Sequence, residues 1–259
     1  DGTVFSHNEL LYAGDDAIEF FGGTVNVDHM LAFQTHDDNF DFDEGYEGNL
    51  QFIIGYQAGN CDISGSHLIE SDNDASATAV APHTNAFIAN ATFVGPTVAQ
   101  NFVNSSTPYY DGALQIRRNS RIKLVNSVII AQQQPWAVVV TNPTTRALVA
   151  HVPSLSDSII IAYNIFQTNS ANPTVTSPIE GNPIPLATLN DNSLLNILGS
   201  PSNGNTALAS YNDFHLGSFL ENTSSSPSRT GGVNLNALGL TQFVGTTERG
   251  AVRTTDVWT

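Results

Sequence analysis

One stretch of the chain repeats against itself without a gap. Asp15-Asp16-Ala17-Ile18-Glu19-Phe20-Phe21-Gly22-Gly23 is followed, 22 residues after its start, by Asp37-Asp38-Asn39-Phe40-Asp41-Phe42-Asp43-Glu44-Gly45. Each copy runs on into a second apolar stretch, Thr24-Val25-Asn26-Val27 in one and Leu50-Gln51-Phe52-Ile53-Ile54 in the other. A period of this length, built from short alternating runs with glycine corners, is the mark of a β-solenoid. In a solenoid, equivalent positions of successive coils stack about 4.8 Å apart. The pattern therefore places Asp15 over Asp37, Asp16 over Asp38, and Glu19 over Asp41.

The repeat continues with insertions. Leu68-Ile69-Glu70-Ser71-Asp72 matches Ala17-Ile18-Glu19-Phe20-Phe21, which adds Glu70 to the Glu19 and Asp41 row. Asp111-Gly112-Ala113-Leu114-Gln115-Ile116 opens another coil, closed by Arg121-Ile122-Lys123-Leu124-Val125-Asn126-Ser127-Val128-Ile129-Ile130. Further strands are expected over Trp136 to Thr141 and Ser158 to Tyr163. The fold class is all-β, a right-handed parallel β-helix, with coils over residues 1–167. Residues 168–259 form a loop-rich and C-terminal capping region of the same domain. Its prolines (Pro173, Pro178, Pro183, Pro185, Pro201, Pro227) interrupt regular structure, and Ala187 to Leu198 is a candidate short helix. Ile18, Phe20, Phe40, Phe42, Ile69, Leu114 and Ile116 are expected to line the interior in stacked rows.

The motifs Gly14-Asp15-Asp16-Ala17-Ile18-Glu19-Phe20-Phe21-Gly22-Gly23-Thr24-Val25-Asn26-Val27 and Asp37-Asp38-Asn39-Phe40-Asp41-Phe42-Asp43-Glu44-Gly45-Tyr46 resemble a family of secreted bacterial right-handed parallel β-helix proteins with no established reaction. Arg249-Gly250-Ala251-Val252 to Asp256-Val257-Trp258-Thr259 resembles the usual ending of that family. The resemblance implies the C-terminal portion of such a protein, because members carry more coils ahead of the first motif. It also implies a secreted or cell-surface location. A first coil without a neighbour would expose strand edge and apolar cross-section. Val4, Phe5, Leu10, Leu11 and Tyr12 are too few to supply both a cap and a coil, so another copy, another domain or a preceding segment is expected against this end.

Charge is distributed as unevenly as it is abundant. The net charge is −16, and residues 1–116 hold seventeen Asp and Glu without one Lys or Arg. Such a field repels nucleic acid and attracts cations. No apolar run approaches the roughly 20 residues of a membrane span. Cys61 is the single cysteine, which excludes an intramolecular disulfide.

The acidic rows are the first candidate for chemistry. Asp15, Asp16, Asp37, Asp38 and Asp41, with Asp43 and Glu44 beside the turn at Gly45, form an oxygen-rich set suited to Ca2+. The same residues could equally cap turns through their own backbone. Asp72-Asn73-Asp74 reads either as a second calcium loop or as an Asx turn. The basic cluster Arg117, Arg118, Arg121 and Lys123 stands out against the acidic background. β-Helix polysaccharide lyases combine Ca2+ with an Arg or Lys base, so this cluster supplies weak candidate catalytic residues. The plainer expectation is an exposed face that offsets the acidic field. Among the histidines only His36, beside Asp37, draws notice. Tyr46, Tyr56, Tyr109 and Tyr110 are candidate sugar platforms, whereas Phe20, Phe21, Phe33, Phe40, Phe42 and Phe52 are expected in core ladders.

These features support a non-enzymatic module that binds extracellular carbohydrate or another surface protein, in adhesion or surface assembly. The alternatives are a polysaccharide lyase or glycoside hydrolase acting on an acidic polysaccharide, and a structural subunit of an extracellular assembly.

Overall fold

The structure is a computed structural model that describes residues 2–57, 65–96, 110–131, 136–149, 157–168, 174–177, 182–184 and 204–256. Its strands are β1 (Val4–Leu11), β2 (Ile18–Gly23), β3 (Asn26–Phe33), β4 (Phe40–Tyr46), β5 (Asn49–Tyr56), β6 (Ser66–Ser71), β7 (Phe87–Ala89), β8 (Thr92–Val94), β9 (Tyr110–Ile116), β10 (Lys123–Val125), β11 (Val128–Ile130), β12 (Trp136–Val140), β13 (Ile160–Ala162), β14 (Ile165–Gln167), β15 (Thr174–Ser177), β16 (Asn182–Ile184) and β17 (Thr206–Ala207). The chain passes back and forth between two sheets. The seven-stranded sheet has the order β16-β15-β12-β9-β6-β4-β2, and the ten-stranded sheet takes the strands between. Each strand pairs in parallel with its equivalent in the next coil, apart from the antiparallel pair β15 and β16.

Register sets the interior. Ile18, Phe40, Ile69, Leu114 and Val138 occupy one row, and Phe20, Phe42, Ser71, Ile116 and Val140 the next inward row. All seven residues expected inside pack in one core, Ile18 at its partly buried edge. Phe20, Phe42 and Tyr46 stack with ring centroids 4.5–5.7 Å apart. Tyr46 is therefore a core residue, its hydroxyl donating to the Val25 carbonyl at 2.6 Å. Phe21 departs from the expectation of a core ladder. It points outward and is 65% exposed, since it alternates with Phe20 along β2.

The ten-stranded sheet bends at one corner in every coil. His7, His29 and Phe52 sit there within β1, β3 and β5, and Asn90, Asn126 and Tyr163 separate the paired short strands of later coils. All six are left-handed, with φ at 56°, 52°, 56°, 52°, 54° and 58°. Asn tolerates that region better than most residues. Asn90 and Asn126 also tie the C-terminal region to the corner. Asn90 Nδ2 donates to the Glu248 carbonyl (2.8 Å), and Asn126 Nδ2 to that of Val233 (2.7 Å).

The region after residue 203 covers the side of the solenoid. Val233, Leu235, Leu240 and Phe243 pack on the outward Phe87, Val125 and Ile160 of the ten-stranded sheet. Phe214 packs on Val94, Val128 and Ile165. Strands buried on both faces read as continuous apolar runs, as Val128-Ile129-Ile130 does, whereas β2 and β4 alternate because one of their faces stays polar. The coils also continue past the expected boundary at residue 167, since β15 pairs with β12 and β17 with β14. The expected helix over Ala187 to Leu198, together with Cys61 and Tyr109, lies outside the described residues. On β1, Val4, Phe5 and Leu11 are 45–53% exposed, and Tyr12 beyond it 68%. No helix among the described residues is long and apolar enough to cross a membrane.

Candidate functional site

The outer face of the seven-stranded sheet carries the acidic rows. Glu19, Asp41, Glu70 and Gln115 are register partners on β2, β4, β6 and β9. One turn earlier, a second column runs through Asp16, Asp38 and His67. The backbone N–H of Asp38 donates to Asp16 Oδ1 (2.9 Å), and that of His67 donates to Asp38 Oδ1 (2.5 Å). Each carboxylate thus holds the next coil in place, a bond between coils rather than the local turn cap expected of these residues. His67 Nδ1 lies 3.3 Å from Asp38 Oδ1 and 3.8 Å from Glu70 Oε1.

The two columns converge. One ligand oxygen each from Asp16, Glu19 and Asp41 lie within 4.8 Å of one another, as do single atoms of Asp38, His67 and Glu70, and of Asp15, Asp16 and Asp37. Packing like charges under partial burial favours the protonated forms. Burial first, then the carboxylates of Glu70, Asp38, Asp16 and Glu19, push the Asp41 carboxyl up to about 9. Burial and Asp38 push Glu70 up to about 8, against the opposing pull of Arg117 and His67. Asp16 rises to about 6, mainly through burial, and burial holds Asp38 well above the usual carboxylate range. Asp41 Oδ1 is buried with no hydrogen-bond partner. The side chains of Asp41 and Glu19 hydrogen-bond each other.

Asp43 and Glu44 lie at the margin. Asp43 is the register partner of Phe21, and its Oδ1 accepts the Glu44 N–H at 2.7 Å. Glu44 is exposed and left-handed at φ 50°, followed by Gly45 at φ 82°. A Cβ at Gly45 would stand 2.6 Å from the Pro82 carbonyl oxygen, so only glycine fits this turn.

The basic cluster divides in two. Arg117 follows β9 onto the acidic face, where its Nε lies 2.7 Å from Asp72 Oδ1 and its guanidinium also pairs with Glu70. Arg118 Nη1 lies 2.5 Å from Asp72 Oδ2. Arg121 and Lys123 lead instead into β10 of the other sheet, and the expectation that they form an exposed face is corrected. Lys123 is 1% exposed and Arg121 7%. Lys123 Nζ donates to the Arg121 carbonyl at 2.8 Å and to Asn85 Oδ1. Burial is the first cause that lowers its pKa, to about 7. The cluster splits because the chain turns a coil corner between Arg118 and Arg121, with Arg118 and Asn119 both left-handed.

Two further expectations change. Asp74 caps its own loop, accepting from the N–H groups of Ser76 and Thr78 and from the Thr78 hydroxyl, so of the two readings of Asp72-Asn73-Asp74 the Asx turn describes its protein bonds. His36 is exposed, and His67 is the histidine of the site. The repeat could have found it, since His67 stands three residues before Glu70 as Asp38 stands before Asp41 and Asp16 before Glu19. Of the candidate sugar platforms, Tyr46 and Tyr110 are buried. Tyr56 is half-buried and stacks on Phe33 at 5.2 Å, with Tyr12 edge-on to Phe33 at 5.6 Å.

A pectate-lyase-like β-helix domain matches residues 1–185, more than half of the chain. The chain belongs to that family. No curated protein and no solved structure matches it. In this pectate-lyase-like β-helix the parallel coils described above are the family's architecture. Fold alone does not fix a reaction. What the acidic face can do depends on its donors: carboxyl oxygens in excess, one imidazole, and two guanidinium groups already engaged by Glu70 and Asp72.

Proposed function

We propose that this β-helix is a secreted or cell-surface module that binds extracellular carbohydrate through its acidic face, with Ca2+ held by that face. The observation that carries this reading is the Glu19, Asp41 and Glu70 row flanked by Asp16 and Asp38. It gathers carboxyls that repel one another and leaves Asp41 Oδ1 buried without a bond. Hard oxygen donors in a flexible cluster suit Ca2+. Asp15, Asp16, Asp37, Asp38 and Asp41 would hold it, with Asp43 and Glu44 at the rim. Bound Ca2+ would supply positive charge for sugar hydroxyl or carboxylate oxygens, which an uncompensated acidic face would repel.

A lyase needs a base near the sugar. Arg117 is tied to Glu70 and Asp72, and those bonds help raise its pKa. Lys123 is buried on the other sheet. The hydrolase alternative fits less well, because the Asp41 and Glu19 side chains hydrogen-bond each other, whereas glycoside hydrolysis sets its two carboxyls about 5–9.5 Å apart to admit the sugar. Calorimetric titration of Ca2+, and then of acidic and neutral oligosaccharides with and without Ca2+, tests the binding reading. Saturable sugar binding that needs Ca2+ and vanishes in Asp41→Asn supports it. Release of reducing ends from the same oligosaccharides would favour the hydrolase, and a face inert to both ligands would end the proposal.

A further inference from the structure

The corner of the ten-stranded sheet holds a second donor group, unrelated to the acidic face. His7 and His29 occupy the same corner position in successive coils, between the register pairs Ser6 with Asp28 and Asn8 with Met30. Both are left-handed, at φ 56° and 52°. Two later coils fill this position with Asn90 and Asn126, residues that take the conformation at less cost. The coil spacing and the shared backbone set the two imidazoles face to face, with centroids 4.6 Å apart and planes 10° from parallel. That separation matches the strand spacing of about 4.8 Å, so the backbone itself imposes it.

A carboxylate and a hydroxyl complete the group. Asp28 Oδ1 lies 2.6 Å from His29 Nδ1. The Ser6 hydroxyl lies 2.7 Å from His7 Nδ1 and 3.4 Å from Asp28 Oδ2. One ligand atom each of His7, Asp28 and His29 fall within 4.8 Å of one another. The far side of His29 is braced: its ring packs on Phe52 at 5.0 Å, and Arg253, itself held by Asp256 at 2.6 Å, covers Phe52 at 4.6 Å. His29 is 20% exposed and Asp28 40%, which leaves the group open to solvent on one side.

We propose that His7, Asp28 and His29 form a binding site for a divalent transition metal of the Zn2+ class. Two imidazoles and one carboxylate are a donor set that Zn2+ accepts with bonds of about 2.0–2.2 Å, leaving a position for water or a further ligand. Imidazole nitrogen selects Zn2+ and its neighbours over Ca2+, which takes oxygen donors. Stacked rings send their in-plane lone pairs along parallel lines, so one ion takes both imidazoles once one ring turns out of the stack about its Cβ–Cγ bond, while the coil backbone keeps His7 and His29 in neighbouring positions. The site is separate from the acidic face and stands whether or not that face binds Ca2+.

The test is calorimetric titration of Zn2+ into the chelator-treated chain, in excess Ca2+, for wild type, His7→Asn and His29→Asn. Asn keeps the left-handed corner, as Asn90 and Asn126 do, and removes the imidazole. The expected result is one Zn2+ site that each variant weakens by more than about tenfold. Co2+ in place of Zn2+ should give visible absorption bands of a four- or five-coordinate ion in wild type and lose them in both variants. The proposal is overturned by the absence of a saturable site, by displacement of Zn2+ by Ca2+, by an affinity unchanged in the variants, or by loss in only one of them.

Discussion

Asp41 and Glu70 are register partners on adjacent parallel strands, and both point their carboxyls onto the same outer face of the solenoid. Glu70 has Arg117 as a counter-charge, whereas Asp41 Oδ1 is buried without a partner. Both carboxyls of the row are held above the usual carboxylate range, chiefly by burial, and Asp41 rises further because it lacks the counter-charge that Glu70 has in Arg117.

Removing the unpaired member should relieve the face. Cross-strand like charges destabilise by about 0.2–1 kcal/mol, so Asp41→Asn should raise Tm by about 1–4 °C in chelator near pH 9. The same variant should lose the rise in Tm that Ca2+ gives the wild type. Scanning calorimetry with and without Ca2+ reads both effects. A lower Tm in chelator, or an undiminished Ca2+ response, would contradict this reading of the row.

Without Ca2+, stability should fall as pH rises. Asp41 has a folded pKa of about 9 against an ordinary 3.8, and Glu70 about 8 against 4.5. Between the two values the folded chain binds more protons than the unfolded one, so each group contributes stability that is present at low pH and is lost as pH climbs through its folded pKa. The slope is at most about 1.4 kcal/mol per pH unit for each such proton. The carboxyls titrate as a coupled set. Lys123 acts oppositely, with a folded pKa of about 7 against 10.5, and adds stability as pH rises between those values. Urea unfolding in chelator should show its steepest decline from about pH 5 to 7 and flatten above about pH 8. In Lys123→Met, the decline should continue past pH 8. A stability that rises steadily from pH 5 to 8 would refute the carboxyl assignments.

Arg117 is the counter-charge of the site. Arg117→Met strands Glu70 and leaves Asp72 with Arg118 alone, and the side chains of the two acids are only 12% and 3% exposed. Breaking a buried pair costs about 3–5 kcal/mol, and the partial exposure of Arg117 lowers the expected cost to about 2–3 kcal/mol. Adding Asp72→Asn should restore part of the loss. A double-mutant cycle by urea unfolding measures the coupling, and additive losses would mean that the ion pair contributes nothing.

Neighbouring phenylalanines test the register. Phe42→Ala should cost about 3–5 kcal/mol, as expected for a fully buried ring. Phe21→Ala should fall within about 0.5 kcal/mol of wild type, since its ring is 65% exposed. Equal losses at the two positions would place β2 or β4 in another register.

What the sequence determined by itself is periodic. The 22-residue repeat from Asp15 to Asp37 and the alternation along Ile18-Glu19-Phe20-Phe21 specify which residues stack and which face inward. From them follow the parallel coils, the Phe40 and Phe42 rows, the Glu19, Asp41 and Glu70 row, and even the place of His67. These are consequences of a two-residue strand period and a fixed coil spacing, and need no knowledge of distant contacts.

The tertiary structure decided what meets across the repeat. Arg117 and Lys123 are six residues apart, yet one joins Glu70 on the acidic face and the other is buried on the opposite sheet, because a corner lies between them. Among the described residues the C-terminal segment packs on the ten-stranded sheet and not on the acidic face, through contacts such as Phe243 on Phe87 at 4.7 Å. Long-range packing also sets the burial that raises Asp41, since a carboxyl's environment depends on neighbours that the local sequence does not contain.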